Sequence, residues 1–336
     1  MAQYMPNGIA HVQMDGDIET EHFSFLLLPQ FSMLAFSSAI EPLRIANQLT
    51  ERNLYSWETL SYTDSRIQCS NGVTMTADVA MEEASSESNL IVCAGVEPER
   101  NQSKKVSDWI RRGWRRGRTV GGLCTGAYIL AHAGILENTA FTLHWENLDS
   151  FRERFPNLDP LEQLYVLDRR ILTCGGGAAA TDMMVHLIRE KHGGVLADTI
   201  LNMCLMQSAR PGNARQRSAT SALLATRHVR LAAIVDYMHD NLEDEISLRQ
   251  IALLFGLSMR QMERLFSRYT NTSPKQFLVG LRLERGRALL ADTNLSVAEI
   301  SAAVGFSSKA HFSKRFGEKF GVSPSKFAAS RVSSVT

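Results

Sequence analysis

The feature that most constrains the fold is a two-helix pattern that occurs twice near the C-terminal end, over residues 247–277 and 296–327. The turn glycines of the two copies, Gly256 and Gly305, are 49 positions apart, and the register changes by only one residue beyond them. A repeat that keeps its register in this way indicates a duplicated structural unit. A short helix, a glycine-containing turn and a second helix that opens on serine are typical of the helix-turn-helix, whose second helix enters the DNA major groove.

The second helix of each copy has an apolar face and a polar face. The apolar faces recur with helical spacing and predict a buried stripe: Met262, Leu265, Phe266 and Tyr269 in the first copy, and Phe312, Phe316 and Phe320 in the second. The outward faces carry Arg260, Arg264 and Arg268, and then Lys309, Ala310, Ser313 and Lys314. Guanidinium groups in a row can contact guanine edges or phosphates. A charged helix face is often only solvated, but two such faces in register predict DNA binding.

This region resembles the AraC/XylS family of transcription regulators. The matching residues are Ile251-Ala252, Gly256-Leu257-Ser258, Arg264-Leu265-Phe266, Ile300, Gly305-Phe306, His311-Phe312-Ser313, Phe316 and Gly321-Val322-Ser323-Pro324. The resemblance implies two DNA-reading helices joined by a long helix over 274–292, and a role with RNA polymerase as an activator. The positions that it assigns to base reading are Arg260, Glu263 and Arg264 in the first helix, and Ala310, Ser313 and Lys314 in the second. Asn271 replaces the family's usual glycine, a mild departure because asparagine tolerates the left-handed conformation.

Charge is distributed unevenly between the two halves of the chain. Residues 228–336 contain 15 Lys and Arg against 10 Asp and Glu, a net charge of +5, whereas the remainder has 21 against 25, a net of −4. The value of +1 for the whole chain therefore hides a basic module joined to an acidic one. Such asymmetry points to double-stranded DNA as the partner of the basic half.

The length of 336 residues allows two domains with full cores. We expect a polar tail over 1–22, a ligand-sensing and dimerisation domain over 23–208, a linker over 209–227, and a DNA-binding domain over 228–330. The apolar run 25–28 is too short for a membrane span or a secretory signal. Five cysteines without a CxxC pair predict neither a disulfide framework nor a metal site. We therefore expect a cytoplasmic protein without a metal or another cofactor.

The N-terminal half alternates between strand and helix patterns. Buried strands are predicted over 23–28, 57–62, 90–94 and 119–123, a hairpin over 164–168 and 171–174, and helices over 36–49, 105–112, 179–192 and 195–206. Alternation of this kind predicts a parallel sheet covered by helices. The fold class is therefore α/β, with an N-terminal parallel-sheet, flavodoxin-like sandwich and a C-terminal all-α domain that contains two helix-turn-helix motifs.

The chemistry of this half centres on Gly122-Leu123-Cys124-Thr125-Gly126. Gly-x-Cys-x-Gly is the nucleophile-elbow pattern with cysteine in place of serine. The sulfur is expected at a strand-to-helix turn, where the helix N-terminus lowers a thiol pKa and attracts anions. Free cysteines are, however, often buried and inert, so a position that faces a ligand and a purely structural one both remain open.

This elbow, with Leu28-Pro29, Glu41-Pro42-Leu43-Arg44 and His144-Trp145-Glu146-Asn147, resembles the PfpI/ThiJ branch of the class I glutamine amidotransferase-like superfamily. The whole chain is similar to AraC-type regulators fused to such a domain, a group that includes activators of arginine, glycine betaine and carnitine catabolism. The resemblance implies a homodimer formed through the N-terminal domain.

The elbow lacks the partners that the resemblance leads us to expect in an enzyme. Thr125 stands where the proteases of the superfamily have histidine after the nucleophile, and residues 28–39 contain no Asp or Glu to hydrogen-bond the sulfur. A nucleophilic cysteine needs a base within reach, and His144 is the one substitute. We therefore interpret the domain as a degenerate enzyme fold kept as a sensor. The alternative is an active cysteine amidase or hydratase fused to a DNA-binding module.

A zwitterionic nitrogen metabolite, such as a betaine, carnitine or a basic amino acid, suits this arrangement. Ligands of open parallel sheets lie beyond the carboxyl ends of the strands, where Cys124 and Thr125 fall. Trp145 with Glu41 or Glu146 could hold a cation through its ring face and a counter-charge. Two plain alternatives remain, in which Trp145 is a core aromatic and Glu146 a surface carboxylate.

Overall fold

The computed structural model describes residues 8–85, 87–216, 228–243 and 247–332. The chain divides into two compact units, one of Met1–Leu148 with Phe155–Gln216 and the other of Asp149–Arg154 with Arg217–Thr336. Within the described ranges, no helix combines the length and the apolar character that crossing a membrane requires.

A mostly parallel sheet forms the centre of the first unit. Its strands are β1 (Glu21–Leu27), β2 (Tyr55–Ser61), β5 (Val79–Ala80), β6 (Asn89–Cys93), β7 (Val120–Leu123), β8 (Tyr165–Asp168) and β9 (Ile171–Cys174). They lie in the order β5-β2-β1-β6-β7-β9-β8, and every pairing is parallel except that of β8 with β9. A separate antiparallel hairpin joins β3 (Arg66–Gln68) to β4 (Thr74–Thr76). The predicted α/β class is confirmed.

Helices cover the sheet. They are α1 (Met33–Thr50), α2 (Lys104–Arg115), α3 (Ala127–His132), α5 (Ala179–His192) and α6 (Gly194–Met203). Helix α4 (Leu148–Arg154) belongs, apart from its first residue, to the second unit. Helices α1, α5 and α6 pack on one another, while α2 and α3 contact each other and β7. Side chains such as Phe25, Phe36 and Met183 fill the core between the first group and the sheet. Burial of this apolar surface is what stabilises the layers.

The predicted strands and helices form within a few residues of their expected bounds. Helix α1 starts three residues before the prediction because Ser32 caps it, its hydroxyl accepting the Ala35 N–H at 3.3 Å. The hairpin β3–β4 and the two-residue β5 were missed. These strands are too short to show an alternating pattern, since periodicity needs several residues to become visible.

The second unit is helical in the part that is described. It contains α7 (Val229–Asp240), α8 (Leu248–Leu254), α9 (Met259–Thr270), α10 (Pro274–Asp292), α11 (Val297–Ala303), α12 (Lys309–Phe320) and α13 (Pro324–Val332). There are two hydrophobic clusters, one around Met262 and Phe266 and the other around Phe312 and Phe316. The long helix α10 contributes to both clusters, so it joins two cores that are otherwise built from separate stretches of chain.

Local backbone chemistry sets the angle between the helices of each repeat. Gly256 and Gly305 take positive φ, 64° and 75°, between the first and second helix of their copies. Asn271 follows α9 at φ 54°, the left-handed cap that the sequence predicts. Ser258 begins α9 with a capping box in which the Gln261 side chain returns to the serine N–H. These backbone conformations therefore fix the direction in which the second helix of each repeat leaves the turn.

Candidate functional site

The outward face of α9 carries the side chains that the sequence assigns to DNA. Met262 and Phe266 are fully buried, while Arg260, Glu263, Arg264 and Arg268 are exposed. Arg264 also lines an open groove of about 700 Å³ between α9 and the start of α7, together with Arg230. The helix therefore divides cleanly into a core face and a polar, largely cationic face.

The outward face of α12 follows the same division. Phe312 and Phe316 are buried, Lys309, Ala310 and Lys314 are exposed, and Ser313 is half-buried. The methyl group of Ala310 can contact a thymine methyl but cannot donate or accept a hydrogen bond.

The cations on these two helices differ in whether they already have an acidic partner. Arg315 pairs with Glu318 at 2.7 Å, and Lys319 pairs with Glu284 at 2.9 Å. Within the described ranges, Arg260, Arg264, Lys309 and Lys314 form no ion pair. The charge of these four is thus available to an external anion, since none is neutralised by a neighbouring carboxylate.

The elbow of the first unit forms as its glycines require. Cys124 takes φ 59° between β7 and α3. A Cβ at Gly126 would lie 2.7 Å from the Val92 carbonyl oxygen and 2.8 Å from the Gly122 Cα. The backbone at Gly122 and Gly126 approaches too closely for any side chain, as the pattern predicts.

The thiol of Cys124 is not activated. Burial raises its pKa to about 12, with further contributions from Cys174 and Glu146, and a hydrogen bond from the Thr125 backbone N–H only partly opposes this. The expected lowering of the thiol pKa is therefore wrong, because desolvation of the thiolate exceeds the stabilisation from nearby backbone dipoles. In the described part of the chain, no side-chain base donates to or accepts from the sulfur.

The three residues beyond the elbow lie beside it. The His144 backbone N–H donates to the Cys124 carbonyl at 3.0 Å, and its ring lies against Trp145, with centroids 5.6 Å apart. Burial lowers the pKa of His144, and Glu146 opposes this from 4.0 Å. Trp145 is 48% exposed, so the core-aromatic alternative is wrong. Glu146 is the exposed carboxylate next to it.

Two residues that were expected to contact the ligand, Thr125 and Glu41, have their polar atoms paired with other groups. Thr125 is only 1% exposed, and its hydroxyl donates to the Gly95 carbonyl at 2.6 Å, so the side chain is committed to the fold. Glu41 pairs with Arg44 at 2.8 Å. Burial, and after it Glu41, raises the pKa of Cys204 at the C-terminal end of α6, and no contact joins Glu41 to the elbow among the residues described. The spacing of residues along the sequence did not reveal that Thr125 pairs with Gly95 or that Glu41 pairs with Arg44.

The backbone N–H groups at the elbow are also largely used. Cys124 N–H donates to the Cys174 carbonyl at 3.1 Å, and Gly126 N–H donates to the Leu123 carbonyl at 2.9 Å. The expectation that they receive a carboxylate is therefore not supported. The cation-binding half of the expected site, Trp145 with Glu146, is the part that the geometry leaves accessible.

Two residues near the elbow, Gly176 and Gln216, were not predicted from the sequence. A Cβ at Gly176, which has φ 89°, would lie 2.8 Å from the Cys124 Cβ, so the turn after β9 packs directly on the elbow. The Gln216 side chain accepts the Trp145 backbone N–H at 2.9 Å. Gln216 lies in the predicted linker, where its polar neighbours offered no signal of a structural role.

Comparison with known proteins identifies a matching family for each unit. The DJ-1/PfpI family model matches residues 25–190 and a helix-turn-helix domain model matches residues 251–330. The chain is 38% identical to the HTH-type transcriptional regulator GbdR of Pseudomonas aeruginosa over 90% of its own length and 83% of that protein. It is 36% identical to the regulator CdhR of the same species over 91% of each chain.

A solved structure agrees with these relatives. The AraC family transcriptional regulator from Pseudomonas putida is similar with a TM-score of 0.51 and 28% identity, over 55% of this chain and 99% of that one. The fold, the two helix-turn-helix repeats and relatives that span nearly the whole chain all lead to one assignment. The chain belongs to the family of AraC-type, DNA-binding transcriptional regulators that carry an N-terminal DJ-1/PfpI domain.

Proposed function

We propose that this regulator is a ligand-responsive activator, whose first unit binds a small cationic nitrogen metabolite beside the elbow without transforming it. The observation that carries the proposal is an elbow with its backbone geometry intact but its thiol protonated, next to a half-exposed tryptophan and an exposed carboxylate. Family resemblance adds a homodimer and a contact with RNA polymerase, and the cysteine pattern adds a cytoplasmic location.

For the DNA side, we propose that α9 and α12 read bases through the residues named from the sequence. The unpaired cations support this, because an arginine or lysine that has no carboxylate partner can contact guanine edges and phosphates without first breaking an ion pair. Glu263 supplies an acceptor suited to cytosine N4. Arg268 lies over the Tyr269 ring at 5.5 Å, which holds it near the end of the helix where a phosphate contact suits it.

Arg264→Ala is expected to weaken binding to the specific operator by about 1–3 kcal/mol and binding to random duplex DNA by less. The operator is first selected from a random-sequence library, and both affinities are then measured at one salt concentration. Arg315→Ala is the matched control, since it removes the same charge from a side chain already paired with Glu318. Equal losses on specific and random DNA would show that Arg264 touches only phosphate.

For the ligand side, Trp145 and Glu146 support a cationic effector. A ring face attracts a quaternary or protonated amine, and an adjacent carboxylate supplies the counter-charge. Glycine betaine, carnitine and arginine are the candidates that the family resemblance suggests, and all three carry such a group. The half-exposed ring is expected to be covered when the effector binds.

Cys124→Ser is expected to leave effector-dependent activation largely intact, while Trp145→Ala weakens effector binding by about 0.5–2 kcal/mol. Serine keeps the size and hydrogen bonding of a thiol that is protonated at neutral pH, since its pKa is about 12. Reporter induction and calorimetric titration with glycine betaine, L-carnitine and L-arginine measure both effects. Trp114→Ala, on α2, is the control for loss of an indole, because its ring stacks on Arg170.

The outcome with Cys124→Ser also separates the sensor from the enzyme. If this variant binds effector normally but no longer responds, chemistry at sulfur is part of the signal. An amidase or hydratase needs a thiolate or a base that removes the thiol proton, and neither is supported by the groups around Cys124. We therefore propose that the first unit is not an enzyme.

A further inference from the structure

The residues that lead from the first unit towards the DNA-binding half are part of the first unit's sheet edge. We call residues 209–216 the connector. Leu164 N–H donates to the Ala214 carbonyl at 2.9 Å, and Gln216 N–H donates to the Glu162 carbonyl at 3.3 Å. An antiparallel bridge joins Gln163 to residue 215 between them. The connector thus lies along the chain that enters β8, where a solvated linker was expected.

An ion pair between a buried carboxylate and a half-exposed arginine anchors the start of the connector. Asp182 on α5 is fully buried, and its carboxylate accepts three hydrogen bonds from Arg210: the backbone N–H at 2.9 Å, Nε at 2.9 Å and Nη2 at 2.6 Å. A buried carboxylate is costly unless it is paired and hydrogen-bonded in this way. The connector is therefore held at both its beginning and its end.

The amide of Gln216 is inserted among the loops that border the elbow. Its Oε1 accepts the Trp145 N–H at 2.9 Å. Its Nε2 lies within 2.9 Å of the Thr142 hydroxyl, and within 2.7 and 2.6 Å of the Leu143 and Gln163 carbonyls. The two N–H groups of the amide therefore share three acceptors while its oxygen accepts a fourth group, so one side chain bridges two separate loops.

The same amide fills space beside the elbow. Gly175 leaves room for it, because a Cβ there would overlap the Gln216 side chain. Gly176, the next residue, packs on Cys124. Gln216 therefore contacts the chain on two sides of the candidate ligand site, at Trp145 and at the turn after β9.

We propose that Gln216 is a wall residue of the ligand site and the point at which that site is coupled to the connector. The proposal rests on the ligand site described above. An effector that moves Trp145 must either preserve or break its hydrogen bond to Gln216, and so favours one position of the connector over another. The Gln216 amide and the DNA-binding half belong to one continuous chain, with eleven residues between Gln216 and His228. Coupling of this kind is reciprocal, so it can be measured from either end.

The forward test removes the amide from full-length protein without any effector. In Gln216→Ala, we expect alkylation of Cys124 by iodoacetamide and amide hydrogen exchange over residues 142–146 to become about tenfold faster, since several hydrogen bonds of that loop are lost. Mass spectrometry resolves both by peptide. Asn213→Ala is the matched control, because it removes an exposed side-chain amide from the same connector and is expected to change neither rate.

The reverse test perturbs the site and observes the connector. Gly175 does not have positive φ, and the three atoms nearest to an added Cβ all belong to the Gln216 side chain, so Gly175→Ala acts first by displacing Gln216. We expect faster hydrogen exchange at residues 212–216 in this variant. If Gln216→Ala is too unstable, the same rates are measured in Gly175→Ala and in Gln216→Asn, which has a shorter side chain. Thermal unfolding checks that each variant is folded.

Two results would overturn the coupling: Gln216→Ala with the same alkylation and exchange rates as Asn213→Ala, or Gly175→Ala with an unchanged connector. Titration with glycine betaine, L-carnitine and L-arginine tests the ligand site separately. If none of them binds but the two exchange effects occur, the proposed effector class fails and the coupling stands. If one binds Gln216→Ala as tightly as the parent protein, with exchange unchanged, the coupling fails and the effector site stands.

Discussion

Phe316→Ala is expected to reduce the free energy of unfolding of the second unit by about 3–5 kcal/mol, the usual cost of removing a buried phenyl ring. Phe316 is fully buried and lies 5.5 Å from the Phe312 ring, 4.5 Å from Phe320 and 5.9 Å from Phe327. Its loss leaves a cavity beneath α12, so binding to the specific operator should be lost together with the second helix-turn-helix.

The distribution of tryptophan allows the two units to be observed separately. Trp57, Trp109, Trp114 and Trp145 all precede residue 149, so tryptophan fluorescence reports on the first unit and far-ultraviolet circular dichroism on both. Phe316→Ala should shift the circular dichroism transition and leave the fluorescence transition in place. Phe320→Ala, at a half-buried ring of the same cluster, is expected to have a clearly smaller effect. Equal effects would show that the second core is more loosely packed than its burial indicates.

Gly126→Ala is expected to destabilise the first unit by about 3 kcal/mol, at the upper end of the range for overpacking. The added Cβ would meet three backbone atoms between 2.7 and 2.9 Å away, on Val92, Gly122 and Leu123. These atoms belong to paired strands and to the elbow, so none can move without breaking the sheet. The fluorescence transition should shift, and Cys124 should become more reactive towards iodoacetamide.

Gly113→Ala is the matched control for this change. Its Cβ would also meet an atom at close range, 2.6 Å away, but that atom is the Cδ1 methyl of Leu90, the far end of a flexible side chain. Gly113 lies inside α2, where alanine also has the higher helix propensity. We expect at most a small change in the fluorescence transition. A loss as large as that of Gly126→Ala would mean that the sheet surface near Leu90 is as rigid as the elbow backbone.

The predictable part of this protein consists of features that repeat along the chain or that depend on backbone geometry. Helical periodicity predicted α5 to the residue, and a short apolar run after the Arg169-Arg170 turn predicted β9 to the residue. The left-handed cap at Asn271 and the close approach at Gly126 followed from what side chains the backbone tolerates. The exposed faces of α9 and α12 followed from the duplication.

The features that were not predictable depend on residues far apart in sequence. The pKa of Cys124 depends on how strongly the completed fold removes its sulfur from water, and a motif contains no information about desolvation. Thr125 and Glu41 were assigned to the ligand site by type, but Gly95 and Arg44 already occupy their polar atoms. Gln216 looked like part of a linker because its partners, Thr142, Leu143 and Trp145, lie more than seventy positions away.

By itself, the sequence determined the α/β class, the tandem helix-turn-helix repeats and the AraC-type assignment, since periodicity, turn residues and repeats are local properties that the chain carries wherever it folds. Only the tertiary structure decided which polar groups of the elbow remain available and that the connector is attached to the sheet edge. Hydrogen bonds and burial between distant segments set those properties, because each polar atom can serve only the partners that the completed fold brings to it.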